Sequence, residues 1–233
     1  MTIRKILKKL VLKLIPPHLI QVDSTSLSAQ CLSLANKAGS YSVLQIGAND
    51  GDRHDPLKDI IARDMPRCWL VEPIPDYFAA LSRKYAGRDD VTCVNACISR
   101  EDGEVEMYLV DPSKQAEEWQ HGIASLDPNH FKRSNSEESL MISRKVRSVS
   151  FETLVAENNI PQVDVLVTDC EGYDLELMRM FPFDLLKPKL IQVEMDTNTV
   201  YTPHQCAELI QLLVGHGYHS IRKEDGDLLA WKS

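Results

Sequence analysis

From residue 41 onward, short apolar runs rich in β-branched residues end in polar or glycine-containing turns and give way to longer amphipathic stretches. Short apolar runs bounded by turns read as strands, and apolar residues recurring every three to four positions read as helices. The pattern predicts strands over Tyr41–Ala48, Cys68–Pro73, Val91–Ser99, Val163–Cys170 and Lys189–Asp196. It predicts helices over Pro56–Arg63, Pro75–Tyr85, Phe151–Asn158, Tyr173–Met180 and Pro203–His216. The last helix is the best marked: Thr202 suits the N-cap, Pro203 the first turn and Gln205 a capping box, with Gly215 or Gly217 as its stop. Near-continuous apolar strands alternating with helices imply parallel strands covered on both faces, a doubly wound α/β sheet. Two further runs, Tyr218–Lys223 and Asp227–Trp231, meet at Asp225-Gly226 and predict a closing antiparallel hairpin.

Two segments break this rhythm. In the first, Ile3, Ile6, Leu7, Leu10, Val11 and Leu14 recur at helical spacing opposite Arg4, Lys5, Lys8, Lys9 and Lys13, and Pro16 and Pro17 end the run. Residues 1–17 therefore read as a basic amphipathic helix. It either lies on an anionic membrane surface or packs against this domain or a neighbouring subunit. The second segment, 111–145, is polar, carries Gly122, Pro128 and the run from Ser134 to Ser139, and shows no clear period. Long aperiodic insertions in compact domains are commonly functional lids, so a substrate cover is expected there. Residues 18–233 are read as one domain, as a chain of 233 residues suggests.

Composition narrows the class. Hydrophobic residues make up 43% and charged residues 26%, the balance of a globular protein. The net charge of −8 hides an asymmetry: the basic residues of the first helix have no acid beside them, and the rest of the chain is strongly acidic, which argues against a nucleic-acid binder. Cys31, Cys68, Cys93, Cys97, Cys170 and Cys206 form no CxxC pair and fall mostly in apolar runs. Reduced, structural cysteines and a cytoplasmic location, with peripheral membrane contact through the first helix as a variant, are the expectation.

The first strand ends in Ile46-Gly47-Ala48-Asn49-Asp50-Gly51, a turn whose glycines suit a close backbone approach. Its spacing is not GxGxxG, and Asp50 would repel a diphosphate while tolerating a cationic methionine-type ligand. Glu72 ends the second strand about 20 residues on, where an acid accepts hydrogen bonds from the hydroxyls of an adenosine ribose. With Asn95–Ser99 on the third strand, the ordered set predicts an adenosyl site. Its expected lining is Gly47, Ala48, Asn49, Asp50, Gly51, Glu72, Pro73, Asn95, Ala96, Cys97 and Asp169.

In these residues the chain resembles the FkbM-type methyltransferases. The matching pieces are Leu44 to Gly51, Val71-Glu72-Pro73-Ile74-Pro75, Asn95 to Ser99, Ser150 to Leu154, Val163 to Asp174 and Ile191 to Glu194, within roughly 41–231. The resemblance implies a Rossmann-like class I methyltransferase fold, a mostly parallel seven-stranded sheet. It also implies S-adenosylmethionine as cofactor and methyl transfer to oxygen, commonly a hydroxyl of a sugar, glycan or secondary metabolite. The chain departs from the family pattern at Gln45, where an acid is frequent, and at Thr168-Asp169-Cys170, where a Lys-Ile-Asp-Val run is usual.

Ligands of open α/β sheets bind at the carboxyl ends of the strands. Asp169 and Glu171 follow the fourth predicted strand and Glu194 and Asp196 end the fifth, so four carboxylates converge on one rim. Such clustering raises a carboxyl pKa toward the working range of a general base. Asp169 is the leading base, followed by Glu194 and Glu171, although Glu171 reads equally well as a helix cap. His54, His121 and His130 are weaker candidates, and Tyr173 and Tyr201 are candidate lining residues. A divalent cation on the carboxylates is a second reading that is not favoured, and no metal ligand is assigned. Two competing functions remain: an NAD-dependent oxidoreductase, disfavoured by the turn spacing and the hairpin, and a noncatalytic adenosyl-binding scaffold docked by its basic helix on a membrane or partner protein.

Overall fold

The structure, a computed structural model, describes residues 26–111, 113–114, 122–128, 137–196, 200–224 and 226–232. The basic helix predicted over 1–17 lies outside them, as do His121 and His130.

Seven strands form the central sheet: β1 (Ser42–Ile46), β2 (Arg67–Val71), β3 (Val91–Val94), β8 (Val165–Thr168), β9 (Leu190–Glu194), β10 (Ser220–Glu224) and β11 (Asp227–Trp231). Their order is β10-β11-β9-β8-β1-β2-β3. The five from β9 to β3 run parallel, and β11 pairs antiparallel with both β9 and β10. The predicted hairpin is therefore present, with its second strand inserted beside the parallel set.

The pleat explains why those strands read as continuously apolar. Leu44, Ile46, Trp69, Val71, Leu166, Ile191 and Val193 enter one core, while Val43, Cys68, Leu70, Val165, Val167 and Leu190 enter another. Alternate residues thus face opposite sides, and both sides are dry. The first core is covered by α4 (Phe151–Asn158), α5 (Asp174–Met180), the short α6 (Phe183–Leu186) and α7 (Pro203–Gly215). The second is covered by α1 (Leu27–Ala38), α2 (Lys58–Asp64) and α3 (Pro75–Lys84). The capping box of α7 forms as predicted: Gln205 N–H donates to Thr202 Oγ1, and Gln205 Oε1 accepts from Thr202 N–H.

A second sheet was not predicted. It holds β4 (Cys97–Ile98), β5 (Gly103–Val110), β6 (Ala124–Ser125) and β7 (Met141–Val149), in the order β4-β7-β5-β6. The ladder between β5 and β7 runs from Gly103 opposite Ser148 to Val110 opposite Met141. The stretch 141–145 expected inside the aperiodic insertion is therefore regular strand. Likewise, the single strand predicted over Val91–Ser99 is two. β3 pairs with β2 in the first sheet and β4 with β7 in the second, and the chain crosses between them at Asn95 and Ala96. The second sheet closes on Ile74 and Tyr77 of the β2–α3 corner through Met107, Leu109 and Val146. That contact brings the insertion over the carboxyl ends of the parallel strands.

Candidate active site

A cavity of about 570 Å³ opens at the carboxyl ends of β1, β2, β8 and β9, within the range usual for small-molecule sites. One wall is the turn after β1. The N–H groups of Gly47 and Ala48 both donate to Val71 O at 3.0 Å, and Asp169 N–H donates to Ile46 O at 3.1 Å, so three strand ends are tied together. Gly47 has φ +83, and a Cβ there would lie 1.9 Å from the Asp169 carbonyl oxygen. The glycine expected to admit a ligand is thus required first by the close pass of the segment after β8.

Glu72 is buried at the end of β2, where its Oε2 accepts from Asn49 N–H at 2.9 Å and its Oε1 from Ile74 N–H at 2.8 Å. Burial pushes its pKa up to about 7, against the pull of those two backbone donors. Asn95 fixes the same corner from below by donating from Nδ2 to the carbonyls of Glu72 and Pro73.

The opposite wall is acidic. Asp169, Glu171, Glu194 and Asp196 all line the cavity, together with Cys170 and Tyr173. Burial raises the pKa of Glu194 far above the carboxylate range, and the charges of Asp169, Asp174 and Glu171 add to it. Asp169 is raised in the same direction by desolvation and by Glu171 and Asp174. By surface area Asp169 is exposed, and it lines the cavity. Glu194 Oε2 is buried without a hydrogen-bond partner, as expected for a group that holds a proton rather than a charge.

Most of the predicted binding residues, Gly47, Ala48, Asn49, Glu72, Pro73, Ala96, Cys97 and Asp169, line this cavity, and so do Glu194, Glu171 and His54. Asp50, Gly51 and Asn95 do not, and each has a structural reason. Asp50 Oδ1 accepts from the N–H groups of Asp52 and Arg53 at 2.9 Å, closing the turn, so its charge is not directed at a ligand. Gly51, at φ +72, sits against Leu81 of α3, where a Cβ would come within 2.7 Å of Cδ1. Asn95 acts through the corner it braces. Tyr201 is buried elsewhere: its hydroxyl donates to Asp174 Oδ2 at 2.8 Å and accepts from Asp174 N–H at 3.0 Å. Glu171 is not the helix cap it resembled, because Tyr173 holds that position and Asp174 and Glu176 supply the acids of the first turn.

Sequence reasoning missed several participants. Asp174 is fully buried and its carboxylate accepts from Cys170 N–H, which holds the loop bearing Asp169 and Glu171. Arg53, Asp55 and Pro56 join the first wall, and Met107, Gly122, Ala124 and Leu126 of the second sheet and its loop form a roof. Gly122 N–H donates to the Tyr77 hydroxyl at 3.1 Å, and a Cβ on Gly122 would come within 2.2 Å of Asn49 Nδ2. Ser125 Oγ donates to Glu171 O at 2.8 Å. The insertion therefore touches both walls. Polarity at Gln45 in an otherwise apolar strand was the one available signal for a buried partner such as Asp55. Among the described residues, no group of three or more His, Cys, Asp or Glu side chains is arranged to hold a metal ion, and no helix is long and apolar enough to cross a membrane.

Solved structures similar to this chain are of low identity to it. A methyltransferase FkbM from Methylobacillus flagellatus KT is 13% identical with a TM-score of 0.53, the match covering 98% of this chain and 59% of that one. An O-methyltransferase from Bacillus cereus in complex with SAH is 12% identical with a TM-score of 0.45, covering 98% and 90%. A precorrin-6y C5,15-methyltransferase from Geobacter metallireducens GS-15 is 14% identical with a TM-score of 0.44, covering 88% and 87%. No curated protein matches. The family described as methyltransferase FkbM domain matches residues 45–220, three quarters of the sequence and both walls of the cavity, and the chain belongs to that family.

Proposed function

We propose that this chain is an S-adenosylmethionine-dependent O-methyltransferase acting on a hydroxyl, of a sugar, glycan or secondary metabolite. The observation that carries the reading is the pairing, in one cavity, of the Gly47 turn and Glu72 with a rim of carboxylates at the ends of β8 and β9. Family membership supports the methyl-transfer class.

Glu72 is held by Asn49 and Ile74 so that an adenosine ribose can bond the lone pairs its backbone donors leave free. The backbone of Gly47–Asn49 fixes the depth at which that ribose sits. When bound, S-adenosylmethionine supplies a methyl group on a cationic sulfonium, from which it leaves in line. Asp169, on the facing wall, is placed to take the hydroxyl proton as the new O–CH3 bond forms and the S–CH3 bond breaks. At rest Asp169 is biased toward its neutral form by burial and by its acidic neighbours. A cation beside it favours the ionised form, so Asp169 becomes a competent base when the site is loaded. Glu194 and Glu171 tune that ionisation, and the segment 122–126 covers the site. Residues 1–16 would add peripheral contact with an anionic membrane, bringing the enzyme to a surface glycan or glycolipid.

Calorimetry with S-adenosylmethionine, followed by mass analysis of a glycan panel after incubation with enzyme and donor, tests the reading. A gain of one methyl group on a hydroxyl is expected. Donor binding with no transfer to any acceptor would favour a noncatalytic adenosyl-binding scaffold, and absence of donor binding would end the proposal.

A further inference from the structure

The turn after β1 carries a buried polar pair that the reaction described above does not use. Gln45, in the last part of β1, is 2% exposed, and its Nε2 donates to Asp55 Oδ1 at 3.0 Å. The same Asp55 oxygen accepts from Leu57 N–H at 2.9 Å. Two atoms are left over: Gln45 Oε1 and Asp55 Oδ2 are buried and have no hydrogen-bond partner. Both are acceptors, one of them on a carboxylate, and both residues line the cavity. Lys84 acts on Asp55 only through its charge, because its ammonium donates to the Gly51 carbonyl and to Asp52.

Adjacent unpaired acceptors at a ligand cavity are unfavourable when empty and match a group that brings several N–H donors and positive charge. A primary ammonium is such a group. Neither ribose nor adenine carries one, and Glu72 already meets the ribose from β2. The donor's remaining part, its methionine moiety, ends in an ammonium and a carboxylate. Arg53 lines the same cavity, with its guanidinium 3.6 Å from Asp50 Oδ2, so a ligand carboxylate there would share it with Asp50.

We propose that Asp55, braced by Gln45, is the anion that binds the methionine ammonium of the donor. The role falls to a residue ten positions beyond Gln45, on the following turn, and Gln45 serves as the positioning residue where the strand has no acid of its own. Asp55 must turn its second oxygen toward the cavity it already lines, and the Gln45 amide then offers a second acceptor. This inference rests on the donor-binding reading given above.

Calorimetry on the full chain separates the two. S-adenosylhomocysteine carries the ammonium, whereas 5′-methylthioadenosine has the same adenosine and sulfur without the amino-acid group. Asp55→Asn is expected to weaken S-adenosylhomocysteine binding by about tenfold or more while 5′-methylthioadenosine changes by less than about twofold. The double variant Gln45→Asp with Asp55→Asn, which returns the acid to the strand, is expected to recover much of the loss. It also serves where Asp55→Asn alone folds poorly. Equal losses for both ligands, or no loss for either, would overturn the role of Asp55 while leaving the donor site standing. Failure of the unaltered chain to bind either ligand would remove the donor site and this inference together.

Discussion

The two walls of the cavity are built on opposite principles. The wall from β1 and β2 is closed in its backbone and at Glu72: Gly47, Ala48, Asn49 and Ile74 each donate an N–H to a fixed acceptor, and both Glu72 oxygens are engaged. The wall from β8 and β9 is frustrated, with Asp169, Glu171 and Glu194 crowded together and Glu194 Oε2 unpartnered. The part of the first wall around Glu72 is preorganised for a ligand, whereas Gln45 and Asp55 farther along it keep unpartnered oxygens. A wall of repelling carboxylates keeps protons that a neighbouring cation can release, which suits acid–base work. On the proposed reading, the first wall binds and the second reacts.

The sharpest break in that comparison would come from Asp169→Asn. Transfer to the acceptor found by the glycan panel is expected to fall by about 10²–10⁴-fold, with donor affinity changed far less. Single-turnover rates and calorimetry on one preparation measure both, and a parallel loss of affinity would place Asp169 on the binding side. Gly47→Ala probes the satisfied wall. The new methyl group meets the Asp169 carbonyl in a left-handed backbone, and a cost of about 3 kcal/mol is expected, a fall of ~6–12 °C in melting temperature. Thermal unfolding would detect it.

A smaller effect separates the walls by pH. Glu72 titrates near 7, and its protonated form turns one ribose-facing acceptor into a donor. Donor affinity is therefore expected to rise by up to about tenfold between pH 6 and 8. The linkage to stability has the opposite sign. An acid whose folded pKa is raised binds more protons folded than unfolded, so the empty protein loses stability as pH climbs from the ordinary 4.5 of glutamate toward 7. Glu194→Gln removes a buried group that resists ionisation, and is expected to stabilise the empty protein by about 1 kcal/mol at pH 8 while slowing transfer. A loss of stability instead would mean that Glu194 is held by a partner and is not frustrated.

How much was legible follows from what each residue depends on. Strands β1, β2, β8 and β9 are buried on both faces, so their apolar runs mark them in the sequence whatever they pack against. Strands β5 and β7 each keep a solvated face: Glu104 and Glu106 stand opposite Arg147 and Lys145, and such residues read as loop until a partner strand fixes their register. Glu72 was legible because its place at a strand end, at a set distance from a glycine turn, is a property of the sequence. Asp174 and Asp55 were not, since an acid at a helix start or in a turn reads as solvated and only its burial beside Tyr201 or Gln45 says otherwise.

The sequence by itself determined the parallel sheet, its closing hairpin, the turn after β1 and the carboxylates of the rim, because local periodicity and spacing along the chain encode them. The tertiary structure alone decided that Asp50, Gly51 and Asn95 brace the site from outside, that Asp55 enters it, and which residues of the expected cover, Gly122, Ala124 and Leu126, reach it. Those assignments depend on which distant segments meet, and no spacing along a chain records a contact between β8 and the turn after β1.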